Sequence, residues 1–215
     1  MRDGYKTYLD WLNADEVRRV DLSLLQQEAL AVLQRFNGSE ALYEHVIVDE
    51  YQDTNSIQEA LFFHLAGGHK NLVVVGDDDQ ALYRFRGATV ENLVEFPRRC
   101  EARLAVKPTR IDLNINYRSR APIVELYNRF IAETDWARAD GKGHYRIVDK
   151  DIKAHRKNDG PAIVLTEQLP PADAFAQLAA FIKKLKHEKK INDFNEVAVL
   201  FPSVKPYRGV PNAQV

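Results

Sequence analysis

The sequence predicts an α/β protein with mostly parallel strands, and three observations carry that prediction. Two short apolar runs, at residues 45–48 and 72–75, each end in acids: Asp49-Glu50 after the first, and Asp77-Asp78-Asp79, one glycine on, after the second. Between them, Ile57, Ala60, Leu61 and Leu65 fall on one face of a helix. Short continuous apolar runs are what strands buried on both faces of a parallel sheet require. Their alternation with amphipathic helices implies a three-layer arrangement.

The remaining elements follow in chain order. Leu25, Ala29, Val32, Leu33 and Phe36 share a helical face, and Asn37-Gly38 stops that helix. After the strand at 45–48 and the helix at 57–65, Gly67-Gly68 ends the helix and the strand at 72–75 follows. Residues 91–96 read as a short helix stopped by Pro97, and residues 103–115 contain one or two extended segments. Ile123, Leu126, Tyr127, Phe130 and Ile131 give another amphipathic helix. Residues 135–160 are polar and carry Gly141, Gly143 and Gly160 without periodicity, which reads as a long loop. A strand at 162–165, a helix with Phe175, Leu178, Ala179, Ile182 and Leu185 on one face, and a last strand at 197–201 complete the chain. The lysines closing that helix suit the negative end of its dipole.

Composition narrows the function classes. The 215 residues are 45% hydrophobic, enough for a real core. No apolar stretch approaches the ~18 residues needed to span a membrane. The first residues, Met1-Arg2-Asp3-Gly4-Tyr5, are polar and lack a signal-peptide core, so a cytoplasmic protein with no membrane partner is expected. Cys100 is the only cysteine, which excludes an internal disulfide and a cysteine-rich zinc site. A net charge of -1 does not announce a nucleic-acid binder, but the charges are uneven. Residues 98–120 and 136–157 are rich in Lys and Arg; each stretch is either a solvated basic face or a phosphate-contacting one.

The chemistry concentrates in three short motifs. Asp49 and Glu50 sit where a parallel strand ends, the edge at which open α/β sheets bind ligands. Two adjacent carboxylates there can place a magnesium ligand and a catalytic base side by side. Asp53 and Thr54 serve equally well as caps of the next helix. Gln80 closes Gly76-Asp77-Asp78-Asp79-Gln80; its amide can donate to a terminal phosphate oxygen and accept from water. Asp77 is a weaker candidate, since three aspartates repel bare phosphate and can simply turn or cap the loop. Tyr83, Arg84, Phe85 and Arg86 alternate aromatic and basic, a pattern for stacking bases and meeting phosphates, although Tyr83 and Phe85 also fit a core. Arg86 can contact phosphate or bridge to the acids of the first motif. No G-x-x-x-x-G-K-[ST] phosphate loop occurs in the chain.

These residues resemble the UvrD/Rep family of superfamily 1 DNA helicases. Residues 46–55, Val-Ile-Val-Asp-Glu-Tyr-Gln-Asp-Thr-Asn, resemble the family's Walker B motif. Residues 73–88, ending Tyr83-Arg84-Phe85-Arg86-Gly87-Ala88, resemble its third motif, and Asn116-Tyr117-Arg118-Ser119 its fourth. Phe85 stands where the best-known members carry Trp, and Ala81 where Ser is usual. The resemblance implies a RecA-like P-loop NTPase architecture, incomplete here. Residues 1–110 would be the later part of a first motor lobe, and 111–215 a truncated start of a second. It implies ATP and Mg²⁺ as cofactors, with Asp49 on the metal, Glu50 activating water and Gln80 sensing the terminal phosphate. Tyr117 would stack on adenine and Arg118 would act as an arginine finger. Tyr83, Phe85 and Arg86 would face single-stranded DNA.

The expected function is part of an ATP-dependent DNA helicase motor acting in repair or recombination on single strands and duplex junctions. Its partner would be the rest of the helicase polypeptide, and this chain alone would be inactive. The alternatives are a non-hydrolysing single-strand-binding module, which the missing phosphate loop favours, and the motor segment of a helicase-nuclease.

Overall fold

The computed structural model describes residues 2–14, 19–83, 87–157, 160, 162–165, 167 and 170–200. The chain divides into two compact units, Met1–Gly160 and Pro161–Val215. In the first, helices α1 (Arg2–Leu12) and α2 (Leu22–Arg35) precede strand β1 (Val46–Val48). Asp21 caps α2 by accepting from the Leu24 amide at 2.7 Å. Helix α3 (Ser56–Leu65) then crosses to strand β2 (Leu72–Val74), which pairs parallel to β1 with Ile47 opposite Val73. This is a β-α-β unit, the connection that parallel pairing demands.

The core lies on one face of that sheet. Tyr51, Phe63, Ala66, Phe96, Cys100 and Leu104 are buried together, with Val46, Val48, Leu72 and Val74 packed against them. The ring of Phe96 meets Tyr51 edge-on at 5.4 Å and stacks on Phe63 at 6.1 Å. Burial on both faces, expected for β1, holds on one only. Ile47 is 72% exposed and Val73 51%, because no described element covers the opposite face.

Helices α4 (Glu91–Val94) and α5 (Phe96–Leu104) correct the reading of Pro97 as a stop. It occupies the first turn of α5, where a missing amide hydrogen costs nothing. Strand β3 (Ile115–Arg120) runs straight into helix α6 (Ala121–Ala132). β3 pairs in parallel with β4 (Lys153–Arg156), a strand inside the stretch expected to be loop. Ile152 and Ala154 alternate inward while Lys153 and His155 face water, so the strand has a period but no apolar run.

In the second unit, helix α7 (Pro171–His187) forms as expected. The strands expected at 162–165 and 197–201 do not: residues 162–165 and 197–200 are irregular, and Phe201 lies outside the described residues. An apolar run without a strand to pair with leaves its backbone groups unsatisfied, so propensity alone does not make it a strand. The observed class is α/β with short parallel sheets. Among the described residues no helix is long and apolar enough to cross a membrane.

Candidate functional site

The two acidic motifs meet at the C-terminal ends of β1 and β2. Asp49 and Glu50 follow β1 directly, and both are exposed. Glu50 adopts φ 50° and ψ 43°, a left-handed conformation that costs a non-glycine residue about 1–2 kcal/mol. Its neighbours hold it there. The Asp49 carboxylate accepts the Glu50 amide at 2.9 Å, the Tyr51 amide donates to the Val75 carbonyl at 2.9 Å, and the Asp53 amide donates back to the Glu50 carbonyl at 2.9 Å.

Gln52, which the sequence did not single out, joins the motifs. It is 1% exposed. Its Nε2 donates to Glu50 Oε2 at 2.7 Å, and its Oε1 accepts the Asp77 amide at 3.0 Å. Gly76 makes room for it: a Cβ there would stand 2.7 Å from Gln52 Oε1 and 3.1 Å from Leu93 Cδ2. Asp77 continues the chain, because its Oδ2 accepts from Gln80 Nε2 at 2.8 Å. Glu50, Gln52, Asp77 and Gln80 therefore form one hydrogen-bonded line from strand end to strand end.

Beneath this line, Tyr51 is fully buried and its hydroxyl donates to Glu59 Oε1 at 3.3 Å. Arg99 Nη1 donates to Glu59 Oε2 at 3.0 Å. Burial pushes the Glu59 carboxyl up, against the opposing pull of Arg99 and Tyr51. The next turn corrects the capping expectation. Neither Asp53 nor Thr54 caps α3; Asn55 does, with Gln58 completing a capping box. Thr54 Oγ1 instead donates to the Tyr51 carbonyl at 2.7 Å, and burial raises the Asp53 carboxyl.

Asp77, Asp78 and Asp79 gather within reach of a single cation. Among the described side chains that cation is Lys150, whose Nζ lies 2.5 Å from Asp77, 2.5 Å from Asp78 and 3.0 Å from Asp79. Arg146 adds a two-pronged pair to Asp79 at 2.7 and 3.1 Å, and the Ile147 amide donates to Asp78 Oδ2 at 2.7 Å. Within the 136–157 stretch, Arg146 and Lys150 thus turn inward onto the aspartates, while Lys142, Lys153, Arg156 and Lys157 stay exposed. Arg138 pairs with Glu95 at 2.7 Å. In the 98–120 stretch, Arg98 pairs with Glu95, Arg99 with Glu59 and Arg110 with Asp112.

Tyr117 and Arg118 lie on β3, both exposed. The Tyr117 ring is 4.8 Å from His155, and the Arg118 carbonyl accepts from Arg156 Nη1 at 3.0 Å. No hydrogen bond or ion pair links either residue to Asp49, Glu50 or Gln80. Tyr83 is 42% exposed; Phe85 and Arg86 lie outside the described residues.

Comparison with known proteins adds the lineage. Residues 2–101 match the family model described as UvrD/REP helicase N-terminal domain. DNA helicase II of Haemophilus influenzae is 41% identical over 101 residues, 47% of this chain and 13% of that protein. ATP-dependent DNA helicase UvrD1 of Mycobacterium tuberculosis is 40% identical over 142 residues, 60% of this chain and 17% of that protein. ATP-dependent DNA helicase PcrA of Staphylococcus aureus is 37% identical over 135 residues, 54% and 18% respectively. The chain thus spans less than a fifth of the length of these relatives.

Proposed function

We propose that the chain, whose residues 2–101 match the UvrD/REP helicase N-terminal domain, carries the middle of an ATP-dependent DNA helicase motor of the UvrD/Rep family. In this reading residues 1–110 are the later part of one RecA-like lobe and 111–215 the start of a second. The motor couples Mg-ATP hydrolysis to movement along single-stranded DNA and to unwinding of duplex junctions in repair or recombination. The observation that carries the reading is the line from Glu50 through Gln52 and Asp77 to Gln80 at two parallel strand ends.

The donor set suits the cofactors. Asp49 and Glu50 offer exposed carboxylate oxygens, the hard ligands magnesium takes. When bound, Mg-ATP supplies the transferable phosphoryl group and neutralises charge on it. Asp49 holds the metal side, and Glu50 orients water and accepts its proton. Gln80, exposed beside Asp77, presents an amide to the terminal phosphate. Tyr117 offers a ring face for adenine, and Arg118 offers a cation to the transferring group from a different element. Tyr83, Phe85 and Arg86 follow Gln80 within six residues and would offer rings and a cation to single-stranded DNA.

The test is Glu50→Gln in a helicase of the relatives' full length that includes this chain. The amide keeps the size but cannot take the proton. DNA-stimulated ATP turnover falls by at least ~100-fold, the order of a lost general base, while nucleotide affinity changes little. Equal loss of binding and turnover would make Glu50 structural. The 215-residue chain alone hydrolyses no ATP, because no phosphate loop cradles the β- and γ-phosphates. DNA-stimulated hydrolysis by that chain would contradict this.

A further inference from the structure

We propose that Gln52 is a positioning residue that fixes the Glu50 carboxylate relative to the loop carrying Gln80. This rests on the reading of Glu50 and Gln80 given above.

The chemistry at position 52 is narrowly defined. The Asp77 amide can only donate, and the ionised Glu50 carboxylate can only accept. A side chain serving both must present one acceptor and one donor at the end of the same arm. The Gln52 carboxamide does so with one oxygen and one NH₂ on a single carbon, and its partners assign which end is oxygen. Gln52 is 1% exposed, so water cannot replace either bond. The arm is rigid as well: the Gln52 backbone and Oε1 abut Gly76, where no Cβ fits. Glu50 itself sits in a left-handed conformation just past the strand end, outside the pleat of β1. Gln52 therefore supplies a tether that the strand geometry does not.

The consequence is mechanical. Glu50 faces the water and Gln80 the terminal phosphate, and both are hydrogen-bonded through Gln52 and Asp77. A shift of the Asp77 backbone that keeps its bond to Gln52 carries the Glu50 carboxylate with it. The base thus takes its working position only when the loop takes its own.

Two variants test this, in the full-length helicase and in the 215-residue chain. Gln52→Met keeps the length and removes both polar contacts. Gln52→Glu keeps the acceptor and sets a second carboxylate against Glu50. In the full-length protein both lower kcat by about 10-fold or more, the scale of a misplaced reacting group, with the KM for ATP unchanged. A readout independent of turnover uses the isolated chain. Gln52→Glu lowers the melting temperature at pH 7, and adding Glu50→Gln in the same chain restores most of the loss by removing one of the two charges.

A kcat loss no larger than the stability loss explains, or a rise in KM that matches it, would reduce Gln52 to a packing residue. Melting temperatures that add independently in the Gln52→Glu, Glu50→Gln pair would do the same. If Glu50→Gln itself leaves turnover intact, the assignment of Glu50 as base fails first, and that outcome is distinct from failure of the tether.

Discussion

Lys150→Met removes an ammonium from among three carboxylates while keeping an unbranched chain in its place. Lys150 is 13% exposed at the side chain, Asp78 1%, Asp79 12% and Asp77 42%. Breaking a buried ion pair from one side costs about 3–5 kcal/mol. Arg146 still neutralises Asp79, and Asp77 is wet enough for its pair to be screened. The remaining cost falls mainly on Asp78 and is about 2–4 kcal/mol. For a chain of this size that corresponds to a fall in melting temperature of roughly 5–15 °C.

The pH dependence has a definite sign. Burial pushes the Asp77 carboxyl up, but hydrogen bonds from Lys150 and Gln80 outweigh it and hold it below the ordinary 3.8. Burial likewise opposes the charge on Lys150, yet its three aspartates hold it above the ordinary 10.5. A lowered carboxyl gives stability that is present above its unfolded value and lost as pH falls through the folded one. A raised ammonium gives stability present below its unfolded value and lost as pH rises through the folded one. The clamp is at full strength between those limits. Circular-dichroism melts of the 215-residue chain should show the full gap between wild type and Lys150→Met at pH 7, narrowing below pH ~4. Amide exchange at Ile147, which donates to Asp78, should speed up in the variant. A gap under ~2 °C at pH 7, less than the scale of one kcal/mol, with unchanged exchange at Ile147, would refute the reasoning.

Four further outcomes are expected. Gly76→Ala places a Cβ 2.7 Å from Gln52 Oε1 and 3.1 Å from Leu93 Cδ2, so it should cost about 1–3 kcal/mol of stability and reduce turnover in the full-length protein; urea midpoints check the first. Arg99→Ala should destabilise by about 2–4 kcal/mol, because it strands a Glu59 side chain that is 4% exposed. Glu59→Gln should be near neutral or stabilising at pH 7: a raised carboxyl favours the folded state only below its unfolded value, and that contribution is lost as pH rises through the folded one. Phe85→Ala should weaken single-strand binding by roughly 1–3 kcal/mol for every base alike; a large drop in melting temperature with unchanged DNA affinity would place Phe85 in the core instead.

The parts of the fold that the sequence carried openly were those where one residue type does the work. β1 and β2 are continuous apolar runs, and their acidic ends stood out because charge after such a run is unusual. β4 was hidden because Lys153 and His155 face solvent and only the alternation of Ile152 and Ala154 marks it. Residues 162–165 erred the other way, being apolar but unpaired. The α3 cap was present in the letters, since Asn55 followed by Gln58 has the capping-box spacing, yet the richer acids beside it drew the assignment. Lys150 and Arg146 read as a surface stretch because composition states a charge but not its partner 67–73 residues away. Gln52 was silent for the same reason: an amide reaching a loop 25 residues on has no local signature.

The bare face of the first sheet bears on how this chain behaves in a test tube. Ile47, Val73 and Val75 are 72%, 51% and 44% exposed, on a sheet that has two strands among the described residues. Each outer strand edge also offers backbone donors and acceptors to whatever arrives. Expressed by itself and concentrated, the chain presents a greasy strip whose flanking edges no described strand pairs, the combination that seeds precipitation. Dilute preparations, mild non-ionic detergent and light scattering against concentration are therefore part of handling it. The melting experiments above belong at the lowest concentration that gives a signal.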